Sequence, residues 1–243
     1  GIWFWIINRY RKHRSFERSK MKNNVLIIAP HPDDEVLGCG GTIKRLSQQN
    51  NEVFVLIISR GKKGMYSEEK IHNVRGEAKK AHELLGVTGT VFLDFPAPEL
   101  DLVSVSELSR SISEVVKEFS PGIIFLPHRG DIHHDHKAVF NAGLVAARPG
   151  IMCPVKKVFT YETLSETELA SPFGDDAFIP DFFVGIAQSI ESKIAAFKCF
   201  KSQIRNYPSS RSPEALEALA KLRGCSVGIP YAEAFMTIRI IEE

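Results

Sequence analysis

Histidine and carboxylate side chains with the spacing of a metal site follow a short apolar run near the start of the chain. Residues 25–28 are apolar, and His31, Asp33, Asp34 and Glu35 come shortly after them. From a tight turn, His31 and Asp34 can converge and offer one imidazole nitrogen and one carboxylate oxygen. Asp33 then points away from its neighbour, which leaves a free carboxylate beside the ligand. The alternative is that these acids cap a helix N-terminus, where negative charge is favoured.

A second cluster of the same residue types lies far along the chain, after another apolar run at residues 123–126. Four of the eight histidines fall within residues 127–136: His128, His133, His134 and His136. Two histidines and a carboxylate in an open site suit a catalytic zinc with one coordination position left for water. The same set suits non-haem iron(II), so the ligand types do not settle which metal binds. The alternative is a solvated surface turn rich in histidine.

The sequence around both clusters predicts a scaffold that brings them together. Each apolar run is short and rich in β-branched residues, which favours a core strand over a buried helix. Pro30 and Pro32 stiffen the first loop. If both strands belong to one parallel sheet, their carboxyl ends share an edge, which is where open α/β sheets bind ligands. We therefore expect the two loops to share one metal ion.

The rest of the chain alternates between strand-like and helix-like stretches, which predicts parallel strands with crossover helices. Strands are predicted at residues 25–28, 53–58, 91–93, 123–126, 158–161 and 234–241. Helices are predicted after the first strand and at residues 72–85, 103–119, 190–204 and 213–222. Residues 59–64 and 171–180 are expected to be loops. The pattern predicts a three-layer α/β fold, with one domain over residues 24–243.

The charge of the chain is distributed unevenly, and this limits its partners. Residues 1–24 contain seven Lys or Arg and one acid, a formal charge of +6. The remaining residues contain 24 basic and 28 acidic side chains, a formal charge of −4. A mildly acidic body without a basic face excludes nucleic acid as a partner. The length of 243 residues suits one α/β domain with an ample core.

Residues 1–23 form an N-terminal extension whose role the sequence leaves open. Residues 2–7 are strongly apolar and residues 9–20 strongly basic. The apolar run is too short to span a bilayer, which takes about 20 residues, and a secretory signal would have its positive charge first. The segment is the end of a truncated membrane helix, an amphipathic anchor on anionic lipid, or a dispensable or non-native extension before Met21. The last interpretation is slightly favoured.

Four cysteines, Cys39, Cys153, Cys199 and Cys225, are scattered without a C-x-x-C pair. In a chain of this size we expect them to be buried thiols of a reducing compartment. The sequence therefore predicts a cytoplasmic protein, with association to a membrane surface through residues 2–20 left open. A homo-oligomer is likewise left open.

Together the two clusters resemble the two motifs of a known family, the LmbE-like or PIG-L N-acetylglucosaminyl deacetylases. The motifs are His31-Pro32-Asp33-Asp34-Glu35 and His133-His134-Asp135-His136. Further matching stretches lie at residues 38–42, 59–64, 75–77, 85–86, 147–149, 223–224 and 231–235. The resemblance implies a three-layer α/β/α, Rossmann-like fold with a mostly parallel sheet. It also implies a zinc-dependent hydrolase that removes an acetyl group from an amino sugar.

The resemblance assigns roles to individual residues. His31, Asp34 and His136 would hold Zn²⁺, with Fe²⁺ or another divalent metal as the alternative. Asp33 would accept the proton of the attacking water. His133 would stabilise the oxyanion or protonate the leaving amine.

Other residues complete the expected site. Asp131 or Asp135 would orient one of the imidazoles, as carboxylates commonly do at metal sites. Arg60 is expected either to contact the substrate or to form an exposed salt bridge. Glu233 matches a recurring family position, for which a purely structural role is at least as good an explanation. The remaining histidines His13, His72 and His82 are expected to be ordinary surface residues.

Two other function classes stand as alternatives. One is a metal- or sugar-binding protein that has lost catalysis, although such a loss usually removes the base and Asp33 is present. The other is an iron-dependent oxygenase, although such sites generally lie on a β-barrel. The expected substrate is an N-acetylated amino-sugar conjugate. Candidates are N-acetylglucosaminyl conjugates of malate or inositol, lipid-linked sugars, and free or oligomeric N-acetylglucosamine.

Overall fold

The computed structural model describes residues 23–62, 64–150 and 153–242. The membrane-surface hypothesis for residues 2–20 therefore lies outside the described residues. Among the helices of the described residues, none combines the length and the apolar character needed to cross a bilayer.

Seven strands form one sheet in the described part of the chain. They are β1 (Asn24–Ala29), β2 (Glu52–Gly61), β3 (Gly89–Ala97), β4 (Ile123–Pro127), β5 (Lys157–Tyr161), β6 (Phe182–Gly185) and β7 (Ala232–Ile240). Their order across the sheet is β3-β2-β1-β4-β5-β7-β6. Strands β1 to β5 run parallel, and β7 is antiparallel to both of its neighbours, β5 and β6. The mostly parallel sheet predicted from the sequence is confirmed.

Helices cover both faces of this sheet. They are α1 (Asp34–Gln48), α2 (Glu68–Leu85), α3 (Val105–Phe119), α4 (His134–Ala146), α5 (Ile190–Phe197) and α6 (Pro213–Cys225). One hydrophobic core joins α1, α2, α5 and α6 to one face, and a second joins α3 and α4 to the other. In β1, Val25 and Ile27 belong to the first core while Leu26 and Ile28 belong to the second. Because consecutive strand residues point to opposite faces, a continuous apolar run suits a strand covered on both sides. The three-layer α/β/α architecture is confirmed.

Some element boundaries differ from those expected from the sequence. β2 includes residues 59–61, which were expected in a loop, because β2 stays paired with β3 beyond an irregularity in register. Helix α5 ends at Phe197 rather than at residue 204. Phe200 is nevertheless fully buried in the turns that follow, so the apolar periodicity continues where the helix does not. The sequence does not predict β6, a four-residue strand whose residues are only partly buried.

The expectation of four buried thiols is wrong. All four cysteines are free, but only Cys39 is buried, and Cys225 is exposed.

Helix α1 is tied to the sheet by a buried ion pair. Glu233 on β7 accepts hydrogen bonds from the backbone N–H groups of Gly41 (2.8 Å) and Thr42 (2.7 Å). Nζ of Lys193 on α5 lies 2.5 Å from the same carboxylate, and both side chains are 3% exposed. Glu233 therefore joins α1, α5 and β7, which gives this residue a structural contact.

We expect Lys193→Met to destabilise the fold strongly, because it leaves the Glu233 carboxylate buried without a cation. Breaking a buried pair in this way costs about 3–5 kcal/mol. The matched control is Lys221→Met, which removes the exposed pair of Lys221 with Glu217 on α6 and should leave stability nearly unchanged. Urea unfolding of the two variants measures the difference. Equal losses would contradict the assignment of the pair as a structural tie.

Candidate metal site and active-site cleft

The two loops that carry the candidate ligands meet at one edge of the sheet. β1 and β4 are parallel neighbours, paired from Val25 with Ile123 to Ile27 with Phe125. The segments that follow them therefore emerge side by side at the carboxyl edge. The expectation that both strands share one parallel sheet is confirmed.

Three donor atoms of metal-binding type converge at this edge, from His31, Asp34 and His136. Nδ1 of His31 lies 3.2 Å from Oδ2 of Asp34, and Nε2 of His136 lies 3.3 Å from the same oxygen. The donor atoms of all three residues lie within 4.8 Å of one another. Two nitrogens and one oxygen at these separations form a donor set that both zinc and iron(II) accept.

Each imidazole of the cluster is oriented by a further carboxylate. Oδ2 of Asp135 lies 2.9 Å from Nε2 of His31, and Oδ2 of Asp131 lies 2.7 Å from Nδ1 of His136. These contacts turn the other nitrogen of each ring toward Asp34. A carboxylate behind a histidine fixes its tautomer and makes it a more basic ligand.

The two orienting carboxylates are themselves held in place. Oδ1 of Asp135 accepts the backbone N–H of Leu100 at 2.8 Å, and Oδ1 of Asp131 accepts the hydroxyl of Thr167 at 2.6 Å. Both oxygens of each buried carboxylate therefore have a partner, as buried charge requires. Because Asp135 and Asp131 are held in place, each of them fixes the orientation of the imidazole that it contacts.

The buried Nε2 atom of His136 fits a bound cation. This nitrogen has no hydrogen-bond partner, although Oδ2 of Asp34 lies 3.3 Å away. Burial would lower the pKa of His136, but Asp34 and Asp131 raise it to about 10. Negative surroundings that favour a proton on this nitrogen also favour a metal ion in its place. The residues present therefore fit a divalent metal.

His133 lies next to the cluster with one nitrogen left for other chemistry. Its ring centroid is 4.6 Å from that of His31. Its Nδ1 accepts the backbone N–H of Asp135 at 3.1 Å, which leaves Nε2 without that bond. Burial, and then the charge of His31, lower the pKa of His133, which favours a neutral ring at pH 7.

His31, His133 and Asp135 also form a second group of ligand type within 4.8 Å. In that group, however, His31 and Asp135 already bond to each other.

Asp33 lies beside the cluster rather than in it. It is the N-cap residue of α1, with a φ of 113° and no hydrogen bond from its side chain to the helix. Such a φ costs a non-glycine residue roughly 1–3 kcal/mol and is typical of functional sites. The carboxylate is buried, borders the cleft and forms an ion pair with Arg211. The helix-capping alternative therefore does not describe this side chain.

Arg211 is a member of the site that the sequence does not predict. It lies between α5 and α6, 178 residues from Asp33 along the chain. It also donates a hydrogen bond to the hydroxyl of Ser165 at 3.1 Å, and burial lowers its pKa to about 10. Its sequence neighbours are serines and a proline, as in many loops. No local signal could have identified it.

Arg60 does not border the cleft that leads to the cluster. It forms an ion pair with Glu68 at the start of α2. Of the two alternatives for this residue, the structure shows the salt bridge, and a role of Arg60 in substrate binding gains no support from the geometry.

The expectation that His82 is a surface residue is wrong. His82 is 3% exposed, and its Nε2 lies 2.9 Å from Oε1 of the fully buried Glu35. Helix α2 turns this side chain toward α1 rather than toward solvent. His72 is exposed as expected, and His13 lies outside the described residues.

An open cleft of about 620 Å³ leads to the cluster. His31, Asp33, Asp34 and His133 border it on the side of the sheet edge, and Arg211 borders it from the segment between α5 and α6. This volume lies within the usual range for pockets that hold small ligands. The cluster is therefore accessible to a molecule the size of a sugar.

Fold and site together define the class of this molecule, an α/β protein with a candidate metal centre at the carboxyl edge of its sheet. Residues 26–147, half of the chain, match the PIG-L family, described as GlcNAc-PI de-N-acetylase. The chain belongs to this family, as the resemblance of its motifs indicates.

Three similar proteins cover most of the chain. The uncharacterized deacetylase YaiS of Escherichia coli is 28% identical over 74% of this chain and 92% of its own length. The diacetylchitobiose deacetylase of Thermococcus kodakarensis is 28% identical over 86% of this chain and 80% of its own length. The crystal structure of the conserved protein TT1542 from Thermus thermophilus superimposes with a TM-score of 0.73 at 27% identity. That superposition covers 91% of this chain and 97% of that one.

We expect His136→Ala to weaken zinc binding by at least ~100-fold, because it removes a ligand nitrogen. Asp131→Asn should weaken zinc binding ~10- to 100-fold, because the His136 ring loses the carboxylate that orients it. The matched control is His134→Ala, which removes an exposed histidine from the same helix and should bind zinc like the wild type. Equilibrium dialysis with metal analysis measures all three. Wild-type affinity in His136→Ala would refute the proposed ligand set.

Proposed function

We propose that this protein is a divalent-metal-dependent N-deacetylase, with zinc as the favoured metal, that hydrolyses the acetamide of an N-acetylglucosamine-containing substrate. One observation carries the proposal: the His31, Asp34 and His136 donor atoms lie within 4.8 Å of one another, and the Asp33 carboxylate, which pairs with Arg211, lies outside this set. Membership of the PIG-L family supports it, as does the similarity to a diacetylchitobiose deacetylase.

Three protein ligands would leave a position for water on a bound metal, and two of them, His31 and Asp34, border the cleft. A divalent metal held there would make water acidic and polarise the amide oxygen. Asp33 is the group that would receive the proton of the attacking water, since it is buried at the cleft and outside the ligand set. The same carboxyl can then deliver that proton to the amine that leaves.

His133 is placed to act on the other half of the reaction. Its Nδ1 is fixed by the backbone N–H of Asp135, so Nε2 is the atom available to the substrate. A donor at that position would stabilise the oxyanion of the tetrahedral intermediate or protonate the leaving amine. Asp131 and Asp135 orient the ligand histidines and do not touch the substrate in this proposal.

Arg211 is the positioning group for the base. Its guanidinium contacts the Asp33 carboxylate and is anchored in turn on Ser165. A fixed cation next to this carboxylate restricts it to one orientation, which suits a group that must accept a proton in a defined direction.

The alternative of a catalytically silent metal- or sugar-binding protein makes a different demand on the site. Binding alone requires neither a buried carboxylate outside the ligand set nor an arginine that orients it. Both are present here. A catalytic role accounts for the strained backbone of Asp33 and for the burial of its charged side chain.

We expect Asp33→Asn to lower kcat by ~100-fold or more, because it removes the proton acceptor without changing the shape of the side chain. Zinc content should stay at the wild-type level, since all three proposed ligands remain. The measurement is acetate release from N,N′-diacetylchitobiose and from malate, inositol and phosphatidylinositol conjugates of N-acetylglucosamine. His134→Ala is the control for handling and folding. A wild type that releases no acetate from any of these would refute the substrate class, and an active Asp33→Asn would refute the mechanism.

Arg211→Gln is expected to lower kcat about 10- to 100-fold, because the Asp33 carboxylate loses the donor that orients it. Lys201→Ala, an exposed residue of the same segment, should retain the wild-type kcat. The same acetate assay, together with zinc content, measures both variants. If the glutamine variant turned over as fast as the wild type, Arg211 would have no part in the reaction.

A further inference from the structure

A row of buried and partly buried hydrogen bonds leads from the backbone of Asp33 to α2 and β3. Oε2 of Glu35 accepts the backbone N–H of Asp33 at 3.0 Å. Oε1 of Glu35 lies 2.9 Å from Nε2 of His82. Nδ1 of His82 lies 2.8 Å from Oγ1 of Thr90. We call these contacts the Glu35–His82 relay.

The relay joins three elements to Asp33, a residue with an unusual backbone conformation. Glu35 lies in the first turn of α1, His82 in the last turn of α2, and Thr90 on β3. Glu35 is fully buried and His82 is 3% exposed, and neither side chain borders the cleft. The hydrogen bonds that lead from His82 toward the cleft pass through Glu35.

Asp33 needs such support because its φ of 113° is one that a side chain rarely allows. Its backbone N–H bonds to the Glu35 carboxylate, so this conformation depends on where that carboxylate lies. Glu35 in turn has one oxygen committed to Asp33 and the other to His82. Without His82, the carboxylate would be free to turn and the N–H of Asp33 would lose its fixed acceptor.

We propose that His82 is a positioning residue for the reaction: through Glu35 it fixes the backbone of Asp33 and so the carboxylate that receives the proton of water. The inference rests on the proposed role of Asp33 as the base. It adds a residue of α2, outside both motifs and outside the cleft, to the groups that set the rate.

A pair that only stabilises the fold would behave differently from a positioning pair. Loss of a stabilising pair lowers the melting temperature and leaves kcat of the folded protein unchanged. Loss of a positioning pair lowers kcat while KM and metal content stay the same, because neither the substrate nor the metal touches it.

The kinetic test compares three variants of the full chain by acetate release from N,N′-diacetylchitobiose. His82→Ala should lower kcat at least ~10-fold with KM and zinc content unchanged. His82→Gln should recover most of kcat, because its amide can donate to Glu35 and accept from Thr90. Leu85→Ala removes a fully buried side chain from the same helix, and should lower the melting temperature while keeping the wild-type kcat. A wild-type kcat in His82→Ala, or equal losses in His82→Ala and Leu85→Ala, would overturn the proposal.

A second readout needs neither substrate nor metal. Hydrogen exchange of the Asp33 amide, measured by NMR on the metal-free protein, should be at least ~10-fold faster in His82→Ala than in the wild type. The ratio of the Asp33 exchange rate to that of the Ile43 amide in α1 corrects for global unfolding. Leu85→Ala should not change this ratio. An unchanged ratio in His82→Ala would overturn the relay. If the wild type releases no acetate from any of the N-acetylglucosamine substrates named above, the proposed function fails, and the exchange ratio still decides whether His82 fixes Asp33.

Discussion

Pairing of buried carboxylates with imidazoles is the constraint on which the rest of this structure depends. Four carboxylates with at most 2% exposure each lie against a histidine ring. They are Asp34 and Asp135 against His31, Asp131 against His136, and Glu35 against His82. A buried carboxylate without such a partner would cost several kcal/mol. The histidines therefore hold the acids in place as much as the acids orient the histidines.

The apolar contacts of the sheet stabilise the fold around this concentration of charge. β1 and β4 are adjacent and parallel, so both loops end at one edge, and each strand behind them is buried on both faces. The acidic residues thus follow strands that are stabilised by apolar contacts, and these contacts do not involve the site. Away from the cleft, the buried carboxylate of Glu233 pairs with Lys193 instead of a histidine, and its hydrogen bonds from Gly41 and Thr42 tie α1 to β7.

The sequence predicts what is local and periodic in this molecule. The apolar runs before each motif identify β1 and β4, and alternation of strands with helices identifies the three layers. The ligand residues follow from residue type and spacing together with the family resemblance. Arg211 and His82 could not be predicted, because each acts on a partner far along the chain and has no pattern of its own. The periodicity of residues 190–204 misled for a related reason: it reports burial, and Phe200 is buried in a turn.

The most direct measurement is anomalous diffraction at the zinc edge from crystals of the zinc-loaded protein. We expect one strong peak about 2.0–2.2 Å from Nδ1 of His31, an oxygen of Asp34 and Nε2 of His136, with both oxygens of Asp33 beyond bonding distance. A peak bound instead by His31, His133 and Asp135, or one that has Asp33 as a ligand, would contradict the proposed ligand set.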